Sequence, residues 1–384
     1  MSWIVEPERK TEVVADVDVL VCGGGFAGVA AAVAAARNGK SVLLIERYGF
    51  LGGLATGSLV ITTPPLNNGI NADIARRLTQ WDAYATDKRP KGGNPETDEV
   101  DGQSGIIPYD PEVLKYEFVR MLLEQGVEIL FHTYIVGVLT NDTAVEGAII
   151  ENKGGRQAIR AKIVIDATGD ADVTHLAGAP YQVIEKPITL MFNMADVDTD
   201  CALEHLGTWN GLKKVIRDGA ANGKLAFDLG ITPDFGAPGV YAANLVHDGQ
   251  LNVWGGMLYS NAALDPRERT RAEIVTRDHA FRMANYLKRT VPGFENARLE
   301  QTSTEVGIRA TRIVEGLAQP SKAAVQAGRF ADTVARPYKG RKLALPYGSI
   351  VPKGIDGLLV AGRCISADAE IMGRLRLIPV CSAT

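Results

Sequence analysis

The sequence predicts an α/β fold in which a parallel sheet, carrying a small antiparallel hairpin, is interrupted by an inserted α+β region. Three observations predict it. An apolar run at residues 17–21 leads into Gly23, Gly25 and Gly28 and then into the small-residue stretch "FAGVAAAVAAAR". Two further apolar runs, at 161–165 and 358–360, each end beside a glycine, in "DATGDAD" and "VAGRC". Between them, from about Tyr181, the pattern changes to strands and helices without that glycine spacing.

The run at 17–21 has the length of one strand buried on both faces. Gly23, Gly25 and Gly28 fall in the G-x-G-x-x-G spacing of a dinucleotide-binding turn. The first glycine permits the tight turn, the second lets the backbone approach a pyrophosphate, and the third lets the next helix pack closely on the strand. Residues 26–37 are small and apolar, as a helix wedged against a sheet requires, and Asn38-Gly39 is its stop signal. A second strand at 41–45 ends at Glu46, about two dozen residues after the first glycine, where an acid can bind ribose hydroxyls. Strand, glycines, helix, strand and acid in one register make a Rossmann-like unit. Glycines serving packing alone are the competing reading.

A glycine-rich loop, "RYGFLGGLATGSLV", follows. Residues 88–105 are polar and rich in Gly and Pro, and read as a surface insertion in preference to a lid. An amphipathic helix is expected from Asp110 or Pro111 to about Gln125, stopped by Gly126 and followed by a strand. "TAVEGAIIENKGGRQAIRAKIVIDATGD" alternates like a hairpin through Gly154-Gly155 and runs on into the strand at 161–165. In the insert, "ITLMFNMADVD" and "LNVWGGMLYSNA" read as strands, with helices around "CALEHLGTWNGLKKVIRDGAANG" and "RERTRAEIVTRDHAFRMANYLKRTV". Residues 358–360 return the chain to the first sheet. The expected division is therefore 1–182 and 341–384 for the dinucleotide-binding domain, with 183–340 as an inserted substrate domain.

Composition narrows the function. A net charge of −4 gives no reason to invoke nucleic acid or an anionic membrane. No apolar run reaches the length of a membrane span, and "MSWIVEPERKTEVV" lacks the apolar core of a signal peptide. Cys22, Cys201, Cys364 and Cys381 are scattered thiols of the kind found in a reducing compartment, so the cytoplasm is the default. His132, His175, His205, His247 and His279 are dispersed without ligand spacing, and no metal is expected. A small-molecule partner is expected; oligomeric state is open, a homo-oligomer included.

The opening fingerprint accepts the ADP half of NAD or of FAD. The other two glycine-bearing strand ends favour FAD. Strand carboxyl ends gather on one edge of an open parallel sheet, so three such ends can line one crevice, and a ligand touching all three is long. The chain resembles the FAD-dependent oxidoreductase family whose flavin domain is similar to that of fumarate reductase and succinate dehydrogenase flavoproteins. The resemblance is carried by "VLVCGGGFAGVAAAVAAARNGKSVLLIER", "GFLGGLAT", "YDPEVLKYEFVRMLLEQGVEILFHT", "VIDATGDAD", "VGIRATRIVEG" and "LLVAGRCISADAEIMGRLRLIPVC", in the family's order from about Asp16 onward.

That resemblance implies roles. Gly23, Gly25 and Gly28 would hold the pyrophosphate, and Glu46 the adenosine ribose, with Arg47 near the adenine end. Gly52, Gly53 and Thr56 would wrap the ribityl and flavin region, and Val136 would frame the adenine through its backbone. Ala167, Thr168, Gly169 and Asp170 would close over the ADP moiety, while Gly362 and Arg363 would lie along the ribityl phosphate. There are two departures. The family's histidine after "SAD" is replaced by Ala369. The family also continues past "PVCSAT" into a helix whose N-terminus faces the flavin. This sequence ends at Thr384, where that helix would begin, and a shortened chain is the expectation.

For the chemistry, arginines are the candidates. Arg309 and Arg312, three apart in "VGIRATRIVEG", share a face if helical and are nearly opposed if extended. The resemblance implies that this segment approaches the flavin's substrate side, where a guanidinium can clamp a carboxylate or stabilise an oxyanion. Salt bridges between the two domains are the competing role. Arg376 in "GRLRLIP" follows the family's pattern and is the third candidate, with a structural brace as its alternative. Glu370 reads as a solvated loop acid, Tyr347 as a packed aromatic and His132 as structural. The leading reading is an FAD-dependent oxidoreductase moving a hydride between flavin and a small polar organic substrate. A non-catalytic flavin-binding or redox-sensing protein, an NAD(P)-dependent dehydrogenase and a thiazole-synthase-like sulfur donor using Cys201 or Cys364 remain as alternatives.

Overall fold

The computed structural model describes residues 3–86, 106–225, 240–258 and 264–384. The stretch 88–105, read above as a surface insertion, lies outside the described residues. β1 (Glu12–Cys22) begins earlier than its apolar run, and its last four residues are buried. α1 (Phe26–Arg37) has the boundaries the small residues suggested, and β2 (Val42–Ile45) is buried throughout. α2 (Leu54–Gly57) is a single turn, and α3 (Gly69–Thr79) packs against α4 (Pro111–Leu123). The start of α4 is fixed by Asp110, whose carboxylate accepts the N–H groups of Glu112 and Val113 while Pro111 opens the helix. Gly126, at φ 71°, turns the chain into β3 (Glu128–Leu130).

β4 (Tyr134–Asn141), β5 (Ala144–Asn152) and β6 (Gly155–Asp166) form an antiparallel meander, and β6 is shared. Its first part pairs with β5; its second part runs parallel to β1. The insert supplies β7 (Ile188–Ala195), α5 (Thr199–Leu206), α6 (Gly211–Ala221), β8 (Tyr241–Asn244), β9 (Leu251–Leu258), α7 (Pro266–Thr290), β10 (Arg298–Thr302) and β11 (Gly307–Ile308). The chain then returns as β12 (Leu358–Val360), parallel to the end of β6. The first sheet has the order β3-β2-β1-β6-β5-β4, with β12 also on β6. The second, antiparallel, has the order β8-β9-β7-β10, with β11 also on β7. The α/β class expected from sequence, a parallel sheet with an antiparallel attachment and an inserted α+β portion, is the fold observed.

Register explains where ligands go. Cys22 pairs with both Ile45 and Asp166, and Asp166 pairs with Val360. Four parallel strands therefore stop at one level, and Gly23, Glu46, Ala167 and Ala361 leave the sheet together. The crevice beyond strand carboxyl ends is where open α/β sheets bind ligands. α7, 25 residues long, packs its Ala272, Ala280, Met283 and Leu287 on the second sheet, which has its own buried cluster. Among the described residues, no helix is long and apolar enough to cross a membrane.

Candidate functional site

The four strand exits open into a cavity of about 510 Å³. Gly25, Gly169 and Gly362 all line it, although 337 residues separate the first from the last. The fingerprint turn is built tightly. Gly23, at φ 106°, donates its N–H to the Ile45 carbonyl at 2.9 Å, and a Cβ there would come within 2.6 Å of the Ala167 oxygen. A Cβ on Gly28 would overlap the Gly23 carbonyl, so this glycine sits behind the wall and lets α1 close on the turn. Gly25 differs. Its φ is −72°, open to any residue, and among the described residues no atom lies within 4 Å of where its Cβ would be. Glycine is a favoured N-cap, and here its bare backbone also faces the cavity, leaving room for an occupant to approach closely.

Gly25 also begins α1 with no side-chain cap and no acid in the first turn, leaving the helix's first amides for a ligand. Phosphate oxygens suit such a cradle, and the residues fit a dinucleotide. At the next exit, Glu46 accepts the Gly24 N–H at 2.7 Å and the Tyr48 N–H at 2.9 Å. Burial raises its pKa above the ordinary carboxylate value, against the opposing pull of those amides and of Arg47. Gly52 and Gly53 line the cavity, the first tied back by its N–H to the Gly24 carbonyl at 2.8 Å. Thr56 is buried behind them, its hydroxyl donating to the Leu51 carbonyl at 2.7 Å. At the far end Thr133, Tyr134 and Ile135 form the wall. Val136 is the bulged residue between the pairs Ile135–Ile150 and Gly137–Ile149, just outside the wall.

The "DATGDAD" exit is held by Asp166. Its carboxylate accepts the Thr168 hydroxyl at 2.6 Å and the Thr174 N–H and hydroxyl at 2.8 Å, so it serves the turn, not a ligand. Ala167, Thr168 and Gly169 face the cavity. Gly169 has φ 81°, and any side chain there would collide with the Arg363 guanidinium. Asp170 stands behind, accepting the Thr311 hydroxyl at 2.8 Å with Arg363 3.6 Å away. Arg363 lines the cavity and donates to the Ile308 carbonyl at 2.6 Å.

The three arginines singled out from sequence divide. The segment around them is neither one helix nor one strand: Ile308 pairs with Ile188, whereas Arg312 pairs with Val183 in a separate two-stranded ladder. Arg312 donates to Asp172 at 2.9 Å and to the Asp170 carbonyl at 3.0 Å, and lies over the Tyr181 ring, away from the cavity wall. Arg309 lines the cavity, with one nitrogen donating to the Pro187 carbonyl at 2.6 Å and the Thr189 hydroxyl at 2.8 Å. Arg376 also lines it, and among the described residues its guanidinium has no hydrogen bond or ion pair. Burial, with the like charge of Arg363 adding, draws its pKa down to about 10, which leaves it cationic at neutral pH and in need of an anion.

Sequence reasoning missed two features. Glu305 is buried in the wall and accepts from Arg47 at 2.9 Å, from Arg269 at 2.6 Å and from the Tyr48 hydroxyl. Met191, Tyr241 and Trp254, from the second sheet, make an apolar part of the wall. Neither follows a local motif; both depend on register between distant strands.

A family model described as FAD dependent oxidoreductase matches residues 18–338 and 337–384. A digeranylgeranylglycerophospholipid reductase of Methanoculleus marisnigri is 30% identical over 194 residues, covering 48% of this chain and 47% of that protein. A thiamine thiazole synthase of Methanococcus maripaludis is 25% identical over 175 residues, 42% of this chain and 59% of that protein. The chain spans about half the length of the curated reductases it matches. Among solved structures, p-nitrophenol 4-monooxygenase from Pseudomonas putida superposes with a TM-score of 0.51 at 15% identity, over 96% of this chain and 78% of that one. A geranylgeranyl bacteriochlorophyll reductase-like protein from Thermoplasma acidophilum gives 0.50 at 18% identity, over 91% and 71%. These two likenesses speak to the fold alone.

Proposed function

The chain belongs to the FAD dependent oxidoreductase family, and from that premise we propose that it moves a hydride between FAD and a small organic substrate bearing an anionic group. The FAD-dependent activity and the substrate class are both parts of this proposal, supported by the family and the cavity. FAD, when bound, supplies the group that takes or gives the hydride. The chain's own task is then binding, orientation and charge.

Gly23, Gly25 and the first turn of α1 would hold the pyrophosphate, and Glu46 would receive the ribose hydroxyls. Gly52, Gly53, Ala167, Thr168, Gly169, Gly362 and Arg363 would flank the rest. Thr56, Gly28, Val136 and Asp170 would support those surfaces from behind. Arg309 and Arg376 bring positive charge to the wall, where a carboxylate or a developing oxyanion is favoured. Arg312, paired with Asp172, would brace the junction instead.

The single observation that carries the reading is Gly25, a glycine whose conformation and protein surroundings would admit a side chain, placed in one cavity with Gly169 and Gly362. The experiment is purification, followed by release and identification of the bound nucleotide and anaerobic mixing with carboxylates, hydroxy acids and keto acids. Recovered FAD, with its absorption bleached or restored by at least one such compound, is the expected result. Recovered NAD, or a flavin indifferent to all of them, overturns the proposal.

A further inference from the structure

The far end of the cavity is built against one small ladder. Glu46, at the proposed ribose position, accepts the Thr133 N–H on its backbone carbonyl at 3.0 Å, so the wall of Thr133, Tyr134 and Ile135 comes next beyond it. The single helical turn Asp172–Leu176 packs on β4 beside that wall, and Asp172, His175 and Leu176 all line the cavity. Asp172 and His175 are three apart, which puts both side chains on one face of the turn. Each is held from behind by the strand pair in which Arg312 faces Val183 and Tyr181 faces Val314. Arg312 donates to one oxygen of Asp172 at 2.9 Å and lies over the Tyr181 ring, while the Tyr181 hydroxyl is 2.9 Å from Nδ1 of His175. The second oxygen of Asp172 and Nε2 of His175 have no hydrogen bond among the described residues. Two polar atoms on fixed side chains are thus left over, and the cavity is the space they share.

We infer that Asp172 and His175 read the adenine of the cofactor, the free carboxylate oxygen accepting from its amino group and Nε2–H donating to the ring nitrogen beside that group. This rests on the proposed function and adds the residues that choose the base. The Tyr181 phenol donates to Nδ1, which places the imidazole proton on Nε2. An acceptor and a donor side by side match adenine on either side of its amino group, where N1 or N7 is the neighbouring acceptor. Hypoxanthine carries an oxygen in place of that amino group, and an ionised carboxylate can only accept, so the two oxygens repel. Ile135 and Leu176 supply apolar surface for the ring. Arg312 is a positioning residue here: it fixes which oxygen of Asp172 stays free and where the Tyr181 ring stands.

The test titrates the full chain, freed of its flavin, with FAD or with flavin hypoxanthine dinucleotide, which differ only at the base. Flavin fluorescence reports the binding of each and needs no turnover. FAD is expected to bind about tenfold or more tightly, which corresponds to about 1.4 kcal/mol. Asp172→Asn keeps an oxygen for Arg312 and turns its NH2 group to the base. It is expected to shrink the gap between the two dinucleotides to about threefold or less, a change that a merely structural Asp172 would not produce. His175→Phe keeps a ring without a donor and is expected to weaken FAD about threefold or more. Should either variant fail to fold, the ratio of the two affinities on the unaltered protein decides. Equal affinities, an intact gap in Asp172→Asn, or unchanged FAD binding in His175→Phe overturns the inference while leaving the flavin assignment standing. A chain that takes up neither dinucleotide overturns the proposed function itself.

Discussion

Glu46 is committed to its own turn before any ligand arrives, since the Gly24 and Tyr48 amides both point at its carboxylate. Its burial raises the pKa, so between the ordinary carboxylate value and the raised one the folded protein keeps a proton that the unfolded chain has released. The sign follows: stability falls as pH rises through that window, then levels off above the raised pKa. In the proposed ribose site the hydroxyls would donate to the ionised form, so FAD binding would expel the proton. Affinity for FAD is expected to weaken as pH falls below the raised pKa. Glu46→Gln should flatten that dependence and lower affinity at neutral pH about tenfold, the scale of one hydrogen bond to a charged group. Titration of FAD fluorescence quenching from about pH 5 to about pH 8 reads both effects. An unchanged slope in the variant would remove Glu46 from the ribose site. Glu46 was legible because the acid follows its glycines at a fixed chain distance. Glu305 was not, because Tyr48 and Glu305 lie 257 residues apart and only the fold makes them neighbours. Arg309 and Arg312 fall between these cases: their spacing was plain, but the turn that sends one to the cavity and the other to Asp172 depends on two different pairing partners.

At the scale of elements, α1 offers a direct separation of packing from binding. Its Gly25 and Gly28 belong to one motif yet face different things. Gly28→Ala drives a methyl into the Gly23 carbonyl and is expected to destabilise the protein by about 2–3 kcal/mol, read as a lowered urea midpoint without FAD. Gly25→Ala meets no crowding in the protein, and its cost is only that of Ala as the poorer N-cap, about 1 kcal/mol; its midpoint without FAD should fall clearly less than that of Gly28→Ala. FAD affinity should nevertheless fall about tenfold or more, because the methyl occupies the space the pyrophosphate needs. Equal loss of stability in both variants would mean that the glycines serve packing alone. Helices with strong local signals were legible, α1 to the residue and the Asp110-capped α4 at its start, its end coming at Leu123, short of the expected Gln125. The insert was less so. Its first helical stretch breaks at Gly207, φ 73°, into α5 and α6, and the second sheet's order β8-β9-β7-β10 has no counterpart in periodicity, which reports faces and not partners.

Across the whole molecule, the cavity lies where two sheets with separate buried clusters meet, and several polar links among the described residues join them. Glu305 is the most connected of these, taking Arg47 and Tyr48 from the first sheet's side and Arg269 from α7. Removing it leaves two guanidinium groups, 35% and 26% exposed, without their shared carboxylate. Full burial would make that loss about 3–5 kcal/mol; partial solvation reduces it to about 1–3 kcal/mol. Glu305→Ala is therefore expected to lower the thermal midpoint and, because the link spans both sheets, to broaden the transition as β7 and β9 open before β1 and β6. Hydrogen exchange resolved by segment reads this directly. FAD should reverse it in part: a ligand held at about a hundredfold above its dissociation constant adds about 2.7 kcal/mol to whatever binds it. If the cavity is truly shared, that gain must appear as protection in β7 and β9 of the second sheet as well as in β1 and α1. Protection confined to the first sheet would show that the cofactor touches one side only, and that the wall containing Arg309 and Trp254 closes over it without taking part.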